Sequence, residues 1–570
     1  MKLTHKQKKY LRKSVLNLNW DGPDRDRPKI ENIAKELGVS VKDLENYIQK
    51  TWGRSKLKKL KGDIRVARSK NDYGHVLLLL TLLILACYFN SLKNDFVSDD
   101  IGTISQNPLI NNLDFIRGPV LFSLRNTINF ILNKTVGLNP MYFRIPNIFL
   151  HLGVSFLIFA IVSKLISKKV GTISSILFAV HPIMTESVAW VSGGPYVYGA
   201  FLFLLTLLLY IEGKSNQNNK FLVLSFFTFF LCVNIQLQFG VLALALILFE
   251  YSYGNIKENW KKLSLYILIA AGMIPIILIS SSRRIQSLTL SYQRPSFTNP
   301  IYQIPVAISE YFKLFFWPKD LALYHSEMSF STQGYLLHLT GFALFILLSI
   351  YLFKKNKKLF FWALLFLIAL SPTLTPLGIS WIVAERYVYI ASIGLFVLFS
   401  YGLDVFLERI FPKNHKQMLV ATLAILTVLL SFRTIERNFD WKNQDTLWLA
   451  TDKVSPSSSQ NHNNLGDYYG RQKNYEKAIQ EFKKAIELQP GYADAYHNLA
   501  NTYMQTGDIQ SAIANYEKAI EYNPNLWQSY LNLGYIYYQE KDFAKAKEYL
   551  SRAYNINPDP GIKNALDTIK

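Results

Sequence analysis

The sequence predicts an all-α chain in which a polytopic membrane helical bundle is followed by a C-terminal α-solenoid. Three observations lead there. Apolar runs recur from about residue 75 to 433 and then stop. Half of the 570 residues are hydrophobic and 14% are aromatic, with a positive mean hydropathy, which is too apolar for a soluble protein of this length. Beyond the last apolar run, alanines, asparagines and prolines return with a fixed period. The expected divisions are a basic cytoplasmic helical segment (1–72), a transmembrane domain (73–433) with a long first outer loop (91–145), a linker (434–456) and the repeats (457–570).

The first segment holds 20 Lys/Arg against 9 Asp/Glu, a net +11 and so half of the +22 of the whole chain. Cations beside a first spanning helix hold that end in the cytoplasm and suit anionic headgroups. Within it, IENIAKELGVSVKDLENYI (30–48) reads as helix, Gly38 turn, helix, and resembles a helix-turn-helix. No recognition set follows it, so a small helical cap is expected and no nucleic-acid partner. The two cysteines, Cys87 and Cys232, both lie in apolar runs, which excludes a disulfide framework or a cysteine-based metal site. The first apolar run begins too far from Met1 for a cleavable signal peptide.

A spanning helix needs roughly 20 apolar residues. Candidates lie near 74–90, 146–164, 170–190, 195–211, 220–237, 239–252, 263–281, 335–353, 358–376, 387–406 and 416–433. The segment IYQIPVAISEYFKLFFW (301–317) holds Pro305, Glu310 and Lys313 and reads as an interfacial or re-entrant helix. If it does not cross, the cationic turns at 167–169, 257–262, 354–358 and 412–416 all fall on the cytoplasmic side. That gives about eleven spans, with the N-terminus inside and the repeats outside the cytoplasm.

In the tail, Pro490, Pro524 and Pro558 are 34 residues apart, as are Ala478, Ala512 and Ala546, and Asn464, Asn498 and Asn532. Units such as NLGDYYGRQKNYEKAIQEFKKAIELQP carry the tetratricopeptide signature, three units with a terminal helix. Such a solenoid presents a concave groove. The three asparagines would project from successive first helices, where an amide can donate to and accept from a peptide backbone.

The stretch FVSDD (96–100) follows directly on the first apolar run. Adjacent carboxylates gain nothing from lipid, so Asp99 and Asp100 are either hydrated loop residues or an acid–base pair. Other ionisable groups collect at the same predicted face: His181 and Glu186 in HPIMTESVAWVSG, Arg283 and Arg284 in SSRRIQ, Glu385 and Arg386 in AERYVYIASIG. Arginines that hold phosphate oxygens and a carboxylate that takes a hydroxyl proton suit a group carried on a lipid phosphate.

FVSDDIGTISQNP, GLNPMYFRIPNIFLHL, HPIMTESVAWVSG, FFWPKDLALYH and AERYVYIASIG, in that order before a tetratricopeptide tail, resemble the transmembrane and tetratricopeptide-repeat-containing O-mannosyltransferases and their prokaryotic relatives. The resemblance covers residues 75–558. It implies the GT-C fold class, a polyprenyl-phosphate sugar donor, an inverting transfer, and a base in the first outer loop at Asp99, with Asp100 beside it. It also implies that His181, Pro182, Glu186, Ala384, Glu385 and Arg386 match retained motifs. Arg386 is then the expected donor-phosphate ligand, with Arg283 and Arg284 as further candidates. Tyr324 and His325 are expected to border the pocket. The chain departs from the pattern twice. Where many relatives carry Gly-Arg-x-Asp it has Gly193, Gly194, Pro195 and Tyr196, and where many carry Ser-Lys-Glu it reads VNIQLQFG (233–240).

The expected function is an integral-membrane glycosyltransferase that moves a sugar, with mannose the family's choice, from a polyprenyl-phosphate donor to a hydroxyl of a protein or glycan acceptor recruited by the repeats. The rival reading is a non-catalytic membrane anchor that displays a tetratricopeptide groove for protein interaction in the envelope. A transporter fits less well, because its intramembrane charges belong near the midplane. The adjacent carboxylates leave a divalent metal open, although no third acidic residue is placed to complete an oxygen shell.

Overall fold

Every regular element among the described residues is helical. The computed structural model describes residues 11, 27–44, 73–112, 123–291, 300–323, 325, 331–374 and 383–569. It forms two compact units, Met1–Leu79 and Leu80–Lys570. In the first, the helix Arg27–Leu37 stops at Gly38, whose φ of +66° is a left-handed conformation that costs glycine little. Ser40 then accepts from the Asp43 N–H at 3.1 Å and starts the next turn of helix.

Six helices of the described residues are long and apolar enough to cross a membrane: Tyr73–Lys93, Pro140–Leu165, Val191–Ser215, Thr332–Lys355, Glu385–Ile410 and His415–Asp440. A seventh arises if Lys168–Val180 and Pro182–Ala189, bent by 58°, count as one span. The eleven apolar runs of the sequence therefore do not all become full-length helices. Asn219–Ile235 and Leu237–Tyr253 are apolar but shorter. Lys357–Leu370 has only 14 residues, about 21 Å of rise against a hydrocarbon core of about 30 Å. The helix Ile256–Ser291 contains the run 263–281, and the doubtful segment 301–317 forms the helix Pro300–Phe316 with Pro305 inside it.

Lipid supplies no hydrophobic drive between helices, so close packing and polar bonds hold them. Gly394 illustrates the first: a Cβ there would lie 2.1 Å from the Trp362 carbonyl oxygen, so only glycine lets the helix Val388–Ile410 meet Lys357–Leu370 so closely. Asparagines supply the second. Asn438 of the last span donates to the Cys87 carbonyl and to Asn90 Oδ1, both at 2.7 Å. Asn90 and Asn94 donate back to the carbonyls of Ile435 and Asn438 at 3.0 and 2.9 Å. The last span is thereby tied to the end of the first.

Residues 434–456 are helical for most of their length, through the end of His415–Asp440 and the helix Gln444–Val454, whose Asn443 and Thr446 form a capping box. Three helix pairs follow: Ser459–Arg471 with Tyr475–Leu488, Ala493–Thr506 with Ile509–Tyr522, and Trp527–Gln539 with Phe543–Ile556. Pro560–Thr568 closes the stack. The periodic alanines, among them Ala478, Ala485, Ala512, Ala519, Ala546 and Ala553, are fully buried, because a larger residue would separate the paired helices. One apolar cluster joins the solenoid to the bundle: Leu465 of the first repeat packs with Val97, Trp190, Leu323, Trp441, Leu447 and Trp448. Since Val97 belongs to FVSDD, the repeats and the acidic loop lie at the same end of the bundle.

Candidate active site

The two acids of FVSDD are separated by the fold. Ser98 takes a φ of +52°, and the chain turns there so that Asp99 is exposed while Asp100 is fully buried. Asp100 accepts from the backbone N–H groups of Val97 at 3.2 Å and Ser192 at 2.8 Å. Burial pushes its carboxyl up to about 6, against the opposing pull of Ser192, Val97 and Arg144. Each oxygen of Asp100 thus accepts one backbone N–H. Among the described residues, no group of three or more His, Cys, Asp or Glu is placed to hold a metal ion.

Arg144 fastens the same loop. Its guanidinium donates to the carbonyls of Ala189, Asn94 (2.9 Å) and Asp95 (3.1 Å), which joins 94–95 to the HPIMTESVAW segment. Asn147, one helical turn further, donates to the Trp190 carbonyl at 3.1 Å, and Trp190 Nε1 donates to the Val97 carbonyl at 3.1 Å. Trp190 stacks on Trp441 with centroids 5.5 Å apart.

Beside this frame lie two buried ion pairs. Arg386 pairs with Glu186 through its guanidinium and also donates its backbone N–H to Glu186 Oε2 at 2.8 Å. The cation lies over the faces of Trp190 and Tyr387, 5.5 and 4.9 Å from their centroids. Glu385, the preceding residue, faces elsewhere: it accepts from Arg437 at 3.1 Å, with His325 at 3.6 Å. Arg437 also reaches Asp440 at 2.8 Å. Tyr311 of the helix Pro300–Phe316 contacts both backbone polar groups of Ala384 and sets the position of the Ala-Glu-Arg turn.

Of the residues expected from the sequence, Asp99, Asp100, Glu186, Glu385, Arg386 and His325 thus come to one end of the bundle. His181 is turned inward: its Nδ1 accepts from the Ile183 N–H at 3.2 Å, its Nε2 donates to the Phe315 carbonyl at 2.9 Å, and its ring stacks on Phe315. Both nitrogens are engaged within the protein, and the residue caps the short helix that begins at Pro182. Arg283 and Arg284 belong to the helix Ile256–Ser291, but their side chains lie outside the described residues, as does Tyr324. The asparagines of the groove divide too. Asn498 donates to Asn463 at 3.0 Å and Asn532 to Asn501 at 3.0 Å, so these amides tie successive repeats together, while Asn464 is half-buried.

Arg125, Arg144, Arg437, Trp190 and Ser192 were not found by sequence reasoning. Arg144 left one signal, a cation within the apolar run that opens at GLNP. The two segments that depart from the family pattern meet in space: Tyr196 packs on Phe239 (6.3 Å) and Tyr387 (6.0 Å) and lines one small cavity with Gln238. They are therefore one altered patch beside Arg386, filled by neutral groups.

Residues 457–525 and 497–560 match two family models, each described as tetratricopeptide repeat. The protein O-mannosyl-transferase TMTC3 of Mus musculus is 26% identical over 477 residues, 72% of this chain and 51% of that protein. TMTC1 of Homo sapiens is 24% identical over 488 residues, 71% of this chain and 54% of that protein. The Caenorhabditis elegans protein O-mannosyl-transferase F38B6.6 is 24% identical, covering 73% and 63%. The chain spans about half the length of the first of these relatives. Among solved structures, that of MamA is 22% identical and covers 28% of this chain and 87% of its own, at a TM-score of 0.19. The resemblance carried by the motifs is thus matched by relatives named protein O-mannosyl-transferases, and the tail by the repeat models.

Proposed function

We propose that this chain is a membrane-embedded glycosyltransferase of the GT-C type. It moves a sugar, mannose by analogy with its relatives' names, from a polyprenyl-phosphate donor to a hydroxyl of a protein or glycan outside the cytoplasm. The observation that supports it best is the division of labour in FVSDD. Asp99 alone of the pair is open to a ligand, at the end of the bundle where buried ion pairs fix the surrounding turns.

Asp99 takes the proton of the acceptor hydroxyl as its oxygen attacks the anomeric carbon. The bond from that carbon to the phosphate oxygen breaks, its electron pair leaves with the lipid phosphate, and a glycosidic bond forms with inversion. Burial of Asp100 and Arg144 holds the loop in position for the attack. The repeats, packed through Leu465 against Val97 and Trp190, bring a protein acceptor to the same end. Tyr196 and Gln238, standing where relatives carry charges, favour the rival reading of a non-catalytic scaffold.

The deciding experiment is transfer of labelled sugar from native membrane lipid donors to endogenous protein, wild type against Asp99→Asn at matched expression. The expected result is a labelled product with wild type and none with the variant. Equal labelling by both, with both folded, would make the scaffold the correct account.

A further inference from the structure

We infer that Arg125, which no motif singles out, is the residue that grips the phosphate of the lipid-borne donor; this rests on the polyprenyl-phosphate reading above. The argument begins with the other arginines at that end. Arg144 is occupied by three backbone carbonyls. Arg386 is held by Glu186, and Arg437 by Glu385 and Asp440. Arg433 donates to the carbonyls of Pro318 and Lys319 and to Glu436. Each has partners enough to account for its position.

Arg125 does not. It lies in the helix Ser123–Val136, half-buried, and its hydrogen bond is a long one, 3.4 Å to Ser192 Oγ. Among the described residues it forms no ion pair. A guanidinium presents five N–H donors in a planar fork, and leaving most of them unmet in a partly desolvated position is costly. Two oxygens of a phosphate fit that fork.

Its location is the second part of the argument. Ser192 Oγ lies 3.1 Å from Thr103 Oγ1, and Thr103 Oγ1 donates to the Asp99 carbonyl at 2.7 Å. Ser192 N–H is held by Asp100. Arg125 is therefore two side chains removed from the Asp99 turn, and it feels Asp100, Tyr198 and Asp99 electrostatically. An anion there would neutralise the cation close to the turn that carries the exposed Asp99. The same helix exposes Ile131 and Val136, which suits a ligand whose phosphate arrives on an apolar chain better than a free ion.

The test uses the full chain in lipid nanodiscs and measures binding of four probes: a polyprenyl monophosphate, the same polyprenol without phosphate, phosphatidic acid, and inorganic phosphate as competitor. Wild type should prefer the polyprenyl monophosphate to the alcohol. Arg125→Gln should lower affinity for the phosphate form by at least roughly tenfold while leaving the alcohol unchanged. Arg125→Lys, with the charge but not the fork, should fall between them. If Arg125→Gln melts well below wild type, the Lys variant decides, and unchanged binding by a Lys variant of native melting temperature overturns the proposal. Undiminished binding by a folded Arg125→Gln overturns it as well, with the donor reading intact. A wild type that does not distinguish phosphate from alcohol refutes the donor reading and this inference with it. Phosphatidic acid bound as tightly as the polyprenyl form, or inorganic phosphate displacing it at similar concentration, refutes the specific lipid source.

Discussion

Removing one member of the Glu186–Arg386 pair should be much worse than removing both. Glu186 is fully buried and receives two bonds from Arg386, one from its backbone N–H at 2.8 Å and one from its guanidinium. In Glu186→Gln the amide oxygen can still accept from the N–H. The guanidinium then loses its anion, and truncating one partner of a buried pair costs about 3–5 kcal/mol. Some of this is recovered, because the Arg386 side chain is 14% exposed and lies over two aromatic faces, a contribution of about 1 kcal/mol. The expected loss is therefore about 3 kcal/mol. Arg386→Gln strands a carboxylate with no exposure and should cost as much or more. The double variant leaves two neutral amides that can bond each other, so about 1–2 kcal/mol is expected, a coupling of at least about 2 kcal/mol. Reversible unfolding in mixed micelles, followed by tryptophan fluorescence, measures all four corners of the cycle. Single losses below about 1 kcal/mol, or strict additivity, would refute the reasoning that this pair is a desolvated structural unit.

Three further outcomes are expected. The folded value of the Asp100 carboxyl, about 6, lies above its ordinary 3.8, so the folded chain holds the extra proton. The resulting stabilisation is full below about pH 3.8 and is lost as pH rises through about 6, amounting to roughly 2–3 kcal/mol. Wild type should therefore gain on Asp100→Asn, in melting temperature, between pH 7.5 and pH 4.5; an offset independent of pH contradicts the burial of Asp100. Gly394→Ala places a Cβ 2.1 Å from the Trp362 carbonyl and should destabilise the bundle by about 1–3 kcal/mol, or abolish its accumulation in the membrane, as quantitative blotting would show. Gly466→Ala, whose Cβ would meet the Phe482 ring at 2.6 Å, should cost a similar amount, read by the loss of helical circular dichroism of the full chain on heating. An unchanged melting curve would mean that the first repeat repacks freely.

The sequence alone determined the features that depend on periodicity and on solvent. Apolar runs must be helical in lipid, where each backbone polar group needs an internal partner. A 34-residue recurrence of alanine and proline leaves paired helices as the way to bury its small faces. The motifs also named turns that the fold brings to one end of the bundle, those of Asp99, Glu186 and Arg386. What the sequence could not decide was which charge faces which. Asp99 and Asp100 are neighbours with equal chemistry, and a backbone turn at Ser98 makes one an exposed carboxylate and the other a buried staple for Ser192. Glu385 and Arg386 are neighbours as well, yet they bind partners at Arg437 and Glu186, 52 and 200 residues away. The same holds for length. A run of apolar residues signals burial in lipid, whereas prolines, glycines and inserted turns decide where each helix breaks, so eleven runs yield six long spans among the described residues. Local pattern fixes the type of an element because its cause is local. Pairing depends on contacts between distant segments, and only the packed bundle, by desolvating each charge and offering it one partner, assigns them.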